Sequence, residues 1–320
     1  MIKEAKISVV FTSYNHGEYL RKAIDSILNQ TFADFELIII DDCSTDGSQA
    51  ILKEYANKDN RIRLVLNTVN SGSYVCSTNQ GAALASTPFI IFAQCDDYAE
   101  PTQFEKLYNA ITNNSVAVAF SRSNMVGEEG EFLGTDLESR DNYFRRVYGR
   151  GGVVPNEKAF SSLLKSCMIP NLSAAILRKD VFDQLNGFSK QYLVLADWDF
   201  WIRVSEKNDF YYIAEPLNNF RQHNNTIRST IKEVRQWAER FNMFKGVIER
   251  DASRRRAALS NLSLGWVLSS YDNIKGWNES RKEIMTMGRE LSNRWDYYVA
   301  KAVIKVPFVY LGHKFCKIFC

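Results

Sequence analysis

Phe89-Ile90-Ile91-Phe92-Ala93-Gln94-Cys95-Asp96-Asp97-Tyr98-Ala99-Glu100-Pro101 is the stretch whose reading decides the fold. Its first five residues are β-branched, aromatic or small apolar, the pattern of a buried strand. Pro101 suits the first turn of a helix. Two adjacent carboxylates, Asp96 and Asp97, therefore follow the carboxyl end of a strand. In open α/β sheets that edge is where ligands bind. Neighbouring acids repel each other and are costly to bury unless a positive group lies between them. A divalent cation carrying a phosphate fits, because hard cations take oxygen ligands. A solvated turn with a helix-capping Asp is the plainer alternative.

Upstream, the same grammar repeats. Ile7-Ser8-Val9-Val10-Phe11 reads as a first strand, followed by the polar loop Thr12-Ser13-Tyr14-Asn15-His16-Gly17. Leu20, Ile24, Ile27 and Leu28 then recur at helical spacing. Phe35 to Ile40 is a second strand running into Asp41-Asp42-Cys43-Ser44-Thr45-Asp46-Gly47-Ser48, and Ile51, Leu52 and Tyr55 mark a second helix. Arg61 to Leu66 is a third strand, then comes the turn Asn67–Gly72, and Val75 to Leu84 a third helix. Alternating strands and helices predict a mostly parallel sheet with helices on both faces. Right-handed crossovers bring the loops after the first, second and fourth strands to one edge. Thr12, Tyr14, Asn15, Asp41, Asp42, Asp96 and Asp97 are thereby expected to share a crevice. The chain lacks G-x-G-x-x-G after its first strand and lacks G-x-x-x-x-G-K-[ST]. A phosphate held there needs a metal or side chains rather than a glycine cradle.

Downstream, a helix to about Asn113 and a strand over Val116 to Ser121 are expected, with residues 122–170 as excursions and a loop able to close over ligand. Ala174 to Leu177 reads as a strand, and Asp180 to Leu185 as a short helix stopped by Asn186-Gly187. In Asp197-Trp198-Asp199-Phe200-Trp201-Ile202, Asp197 is expected to cap a helix whose Trp198, Trp201 and Ile202 face the core. Tyr211 to Ala214 is another strand, and Arg221-Gln222-His223 closes the domain. The expected organisation is a catalytic domain over 1–228 and a helical region over 229–320, which would pack on the first domain or on a partner copy. Within it, 299–320 alternates apolar residues with Lys301, Lys305, Lys314 and Lys317. That pattern fits an interfacial helix on an anionic membrane, or a terminal helix docked on its own domain.

A net charge of +3 without a long basic block argues against a nucleic-acid partner. The six cysteines form no C-x-x-C or zinc-type cluster, which fits a reducing compartment. No stretch is apolar enough to span a membrane, and the amino terminus has no secretory signal core. A cytoplasmic protein, acting at the inner face of the membrane if the tail binds lipid, is the expectation.

From Ile7 to Asp97 the chain resembles the family 2 glycosyltransferases of GT-A fold. The resemblance rests on Phe11-Thr12-Ser13-Tyr14-Asn15, Ser26 to Thr31, Ile40 to Ser48, Asn70-Ser71-Gly72 with Asn79-Gln80-Gly81, and Asp96-Asp97. Asp197-Trp198-Asp199 and Arg221-Gln222-His223 follow in the same order, so it extends to about residue 225. It implies inverting transfer of a sugar from a nucleotide-diphosphate donor, a UDP-sugar being favoured, to a saccharide or lipid-linked saccharide hydroxyl, with Mn²⁺ or Mg²⁺. Bacterial surface polysaccharide, such as O-antigen or capsule, is the implied setting. It further implies that Thr12, Tyr14, Asn15, Asp41, Asp42 and Asn70 contact the donor. Asp96 would face the ribose or metal, Asp97 would ligate the metal, His223 would join the metal and diphosphate with Arg221, and Asp197 would be the catalytic base. Asp199 is the alternative base. Gln94, Thr78 and Ala196 stand where many members carry an acid, a basic residue and Glu. Those departures keep a second expectation alive, a catalytically inactive nucleotide-binding or scaffold module on the same fold.

Overall fold

The four upstream apolar runs form one parallel array. β1 (Ile7–Ser13), β2 (Phe35–Asp41), β3 (Ile62–Leu66) and β4 (Phe89–Gln94) are joined by the helices α1 (Gly17–Leu28), α2 (Ser48–Lys58) and α3 (Tyr74–Leu84). Their spatial order is β3-β2-β1-β4, every pair parallel. The computed structural model describes residues 4–136, 142–169, 171–223, 231–272 and 279–305. All seven residues of β1 are buried, the polar Ser8, Thr12 and Ser13 among them, as in a strand covered on both faces. α1 turns Leu20, Ala23, Ile24 and Ile27 into the core shared with Val9, Phe11, Leu37 and Ile39. α3 lies so close to the sheet that a Cβ on Gly81 would stand 2.4 Å from Val10 Cγ1. A glycine there sets the depth of that packing.

Beyond β5 (Tyr98–Ala99) and α4 (Gln103–Asn114) the sheet becomes mixed. β6 (Val118–Val126), β7 (Phe132–Thr135), α5 (Asn142–Tyr148), β8 (Gly152–Val154) and α6 (Asn156–Leu163) occupy the segment expected as excursions. β9 (Ala175–Arg178), α7 (Lys179–Gln184), α8 (Ala196–Ser205) and β10 (Phe210–Arg221) follow. The order continues β4-β9-β6-β10-β5, with β7 on β6 and β8 on β10. β9 is antiparallel to both β4 and β6, whereas β6 and β10 are parallel. The expectation of a loop over 122–170 fails because β7 and β8 have four and three residues and gain order from their partners, β7 from the preceding β6 and β8 from the distant β10. Such short strands carry too little pattern to be read locally. β10 is also longer than the expected Tyr211 to Ala214. It passes Pro216 by shifting register between Ile213 and Asn218, since proline has no N–H for the ladder and is accommodated at a bulge.

The chain divides into two units, Met1–Thr226 and Ile227–Cys320. The second contains α9 (Glu233–Arg250), α10 (Arg255–Asp272), α11 (Glu279–Leu291) and a further helical stretch over 295–305. Trp237, Phe241 and Phe244 on α9 are buried, and Phe241 meets the fully buried Trp295 edge-on at 5.3 Å. Among the described residues no helix is long and apolar enough to cross a membrane. Residues 306–320, most of the expected membrane-association segment, lie outside the described residues.

Candidate active site at the carboxyl edge of the sheet

The strand register brings the predicted loops together. Ser13 pairs with Asp41, and Thr12 with Gln94, so the ends of β1, β2 and β4 form one row. Thr12 and Asp41 are buried within it, and Tyr14 is 46% exposed above it. One Asp41 oxygen accepts from the Ser44 amide at 2.9 Å and from Gln49 Nε2 at 3.0 Å. Its other oxygen is buried without a hydrogen-bond partner among the described residues. A buried carboxylate oxygen in that state is an acceptor awaiting a donor.

Several predicted contact residues also build the loops. Asp42 accepts from Asn67 Nδ2 at 3.0 Å and from the Ser71 amide and hydroxyl at 3.0 and 2.7 Å. Asn70 Nδ2 donates to the Asp42 carbonyl at 3.1 Å, and Asn70 Oδ1 accepts from the Gly72 amide at 2.6 Å. Asn15 sits at φ 50°, a conformation asparagine tolerates well, and its Oδ1 accepts from the Thr45 amide at 2.8 Å. These bonds join the loops after β1, β2 and β3 into one floor.

The two acids after β4 have opposite environments. Asp97 is 4% exposed; its oxygens accept from Ser173 Oγ at 2.7 Å and from the Arg221 amide at 3.0 Å. Burial first, and then the charge of Asp96, push its carboxyl well above the usual carboxylate range, against those two hydrogen bonds. Asp96 faces outward and meets His223 Nε2 at 3.0 Å. That hydrogen bond raises the His223 pKa, with burial opposing it. The expected assignment of Asp97 as the metal ligand is set against these contacts. Asp96 is the acid grouped with His223, and Asp97 anchors the end of β10 from which His223 projects.

A third candidate ligand joins them. His16, Asp96 and His223 each offer a donor atom, and these atoms lie within 4.8 Å of one another. Two imidazole nitrogens and a carboxylate oxygen fit a divalent cation. Arg221, expected at the diphosphate, is 3% exposed and points into the framework: Nε donates to the Asp96 carbonyl at 2.9 Å, and Nη1 to the Gly127 and Glu128 carbonyls. Its guanidinium also stacks over Tyr19 at 4.6 Å. Burial and the nearby Glu18 and Glu128 carboxylates push that tyrosine's pKa up to about 12.

Residues 8–185 match the family profile described as Glycosyl transferase family 2. The chain belongs to this family. It is 28% identical over 233 residues to the O-antigen biosynthesis glycosyltransferase WbnJ of Escherichia coli, covering 70% of this chain and 82% of that one. In structure it resembles Staphylococcus aureus TarS (residues 1–349) solved with UDP-GlcNAc, at TM-score 0.71 and 17% identity over 92% of this chain and 84% of that one. It also resembles the mannosyltransferase PcManGT of Pyrobaculum calidifontis solved with GDP-Man and Mn²⁺, at TM-score 0.56 and 14% identity over 94% and 87% of the two chains. The fold is GT-A, and the chain is a glycosyltransferase.

In this glycosyltransferase Asp197 lies in the first turn of α8, not at its cap, which is Leu195. Its Oδ1 accepts from the Trp198 amide at 2.7 Å. Asp199 is buried and paired to Arg203 Nε at 2.7 Å, while Arg203 also donates to the Leu185 and Gly187 carbonyls. Trp201 and Ile202 are fully buried and Trp198 is 7% exposed, so the tryptophans belong to the core. Two residues of the site were not anticipated. His16 lay in the loop already expected at this edge, and its residue type was the available signal. Ser173 carried none, since a lone serine before a short strand has no local signature.

Proposed function

We propose that this glycosyltransferase moves a sugar, with inversion, from a nucleoside diphosphate to a hydroxyl of a bacterial surface polysaccharide or its lipid-linked precursor, using Mn²⁺ or Mg²⁺. The observation that carries this reading is the Asp96–His223–His16 cluster, at the same sheet edge as the buried, unpartnered Asp41 oxygen. The unpartnered Asp41 oxygen suits a nucleobase N–H such as the uracil imide, and the UDP-GlcNAc held by TarS favours a UDP-sugar. Tyr14, exposed at that edge, supplies a face for the base. Asp96 and His223 hold the cation, with His16 within reach. When bound, the cation supplies Lewis-acid stabilisation of the charge that gathers on the leaving diphosphate. Asp197 takes the proton of the acceptor hydroxyl as its oxygen bonds to the anomeric carbon and the bond to the diphosphate breaks. Asp199 is less suited, since its carboxylate is already committed to Arg203. WbnJ, a relative named for O-antigen biosynthesis, supports the polysaccharide setting. The apolar and lysine alternation over 299–320 supports a lipid-linked acceptor.

The test is a panel of nucleotide sugars and candidate acceptors with Mn²⁺, run on wild type, Asp96→Asn and Asp197→Asn. Turnover of at least one donor, lost in both variants, is expected. Saturable UDP binding with no Asp197-dependent turnover of any donor would make the protein the binding module instead. Liposome co-sedimentation of the full chain against a 299–320 deletion addresses the membrane; equal partition would remove the lipid part of the reading.

A further inference from the structure

We propose that His16 is the third protein ligand of the cation site and gives it a preference for first-row transition ions over Mg²⁺. This rests on the metal-dependent reading above and goes beyond it in naming the residue that selects the ion.

Three features of His16 carry the inference. Its Nδ1 meets the Tyr14 carbonyl at 2.6 Å. A carbonyl can only accept, so Nδ1 is the donor in this contact, and Nε2 is the nitrogen left to ligate. Ligating histidines are commonly oriented in this way, by a backbone carbonyl on the other nitrogen. Secondly, the side chain is not spent on capping its helix. His16 occupies the N-cap of α1, yet it makes no side-chain capping hydrogen bond. Instead its ring stands edge-on to His223 at 5.6 Å between centroids, half-buried at the mouth of the site. Thirdly, its donor atom falls within 4.8 Å of those of Asp96 and His223. The 3.0 Å between His223 Nε2 and Asp96 Oδ2 is the spacing of two adjacent ligands on one ion, given bonds of about 2.1 Å at right angles.

The chemistry follows from the donor count. With Asp96 and His223 alone, most positions around the ion would be filled by carboxylate, phosphate and water oxygens, which Mg²⁺ accepts readily. A second imidazole changes the balance. Imidazole nitrogen suits first-row transition ions, and affinity rises from Mn²⁺ through Co²⁺ and Ni²⁺. Mg²⁺ gains little from a nitrogen donor and keeps its waters. Because His16 stands in the loop that also carries Tyr14 and Asn15, the choice of ion is coupled to the order of the donor-facing loop.

The experiment measures Mn²⁺ and Mg²⁺ binding to the full chain by calorimetry, with Mn²⁺ electron paramagnetic resonance as a second readout. It compares wild type, His16→Asn and His223→Ala. Asparagine retains an N–H for the Tyr14 carbonyl and lacks a donor at the Nε2 position; His16→Gln serves if that variant does not fold. The expected result is Mn²⁺ binding weakened by at least the ~10–100-fold that loss of an outer-sphere partner costs. Mg²⁺ binding should stay within about twofold, since its oxygen ligands are untouched. Wild-type Mn²⁺ affinity and resonance signal in His16→Asn, together with loss of both in His223→Ala, would overturn the role of His16 and leave the metal site standing. No Mn²⁺ binding by wild type, or binding indifferent to both substitutions, would overturn this inference and the metal-site reading together.

Discussion

The two halves of the sheet were built by different rules. β1 to β4 are parallel neighbours, each joined to the next by one helix, and their loops emerge at one edge by topology alone. β9, β6 and β10 pair in mixed directions, and Phe210 must find Val118 across about ninety residues of sequence. The first half supplies the buried carboxylate of Asp41 and the outward carboxylate of Asp96. The second half supplies His223 and Ser173, and buries one of two adjacent acids, Asp97, while the other meets His223. Asp97 is the fastening between them: one oxygen takes the Ser173 hydroxyl and the other the Arg221 amide. A repeated local motif thus makes a generic ligand edge, and long-range pairing makes it a particular site.

The comparison can be broken at its junction. Asp197→Asn is expected to lower kcat by ~10²–10⁴, the range lost with a general base, measured with the donor that wild type turns over. Asp96→Asn should cost roughly 10²–10³ in kcat, comparable to removing one preorganised charge-stabilising contact, and should also lose Mn²⁺ binding. Asp97→Asn retains an acceptor for the Arg221 amide, so it should keep most Mn²⁺ affinity; equal metal loss in Asp96→Asn and Asp97→Asn would restore Asp97 as a ligand.

Stability measurements sharpen the contrast between the halves. Gly81→Ala overpacks α3 against Val10 in the parallel half and should destabilise by about 1–3 kcal/mol in urea unfolding. Ser173→Ala leaves the buried Asp97 oxygen without its donor and should cost about 1–3 kcal/mol. The smallest effect is expected at Asp59, whose hydrogen bonds from Arg61 hold its carboxyl below the usual range. Because the folded pKa is depressed, the stabilisation is full above the ordinary carboxylate pKa and fades as pH falls through the folded value. Asp59→Asn should therefore cost about 0.5–1 kcal/mol at pH 7, and the difference from wild type should vanish at acid pH. A difference that persists there would assign the effect to packing.

Legibility followed sequence distance. The strands over 7–94 were readable because each is a short run rich in β-branched and other apolar residues bounded by polar turns. The convergence of Thr12, Asp41 and Asp96 then needed only the handedness of crossovers. Residues 122–170 were read as excursions because three- and four-residue strands gain their stability from partners, not from pattern. Asp42, Asn15 and Asn70 were correctly located at the edge, yet their side chains hold loops together, a distinction that depends on individual hydrogen bonds. His16 was in view in the right loop, but only β10, arriving from the far end of the domain, puts an imidazole opposite it.

By itself the sequence determined the alternation of strand and helix, the edge at which the polar loops gather, and the family to which the motifs belong. These follow from local periodicity and chirality, which every residue samples through its immediate neighbours. Tertiary structure alone decided that Asp96 faces the site while Asp97 turns inward, that Arg221 braces carbonyls, and that His16 meets His223. Asp96 and Asp97 lie between β4 and β5, outside either strand, so no strand periodicity assigns their directions. Which side is interior is settled by the strand that packs against them, and here that strand is β10.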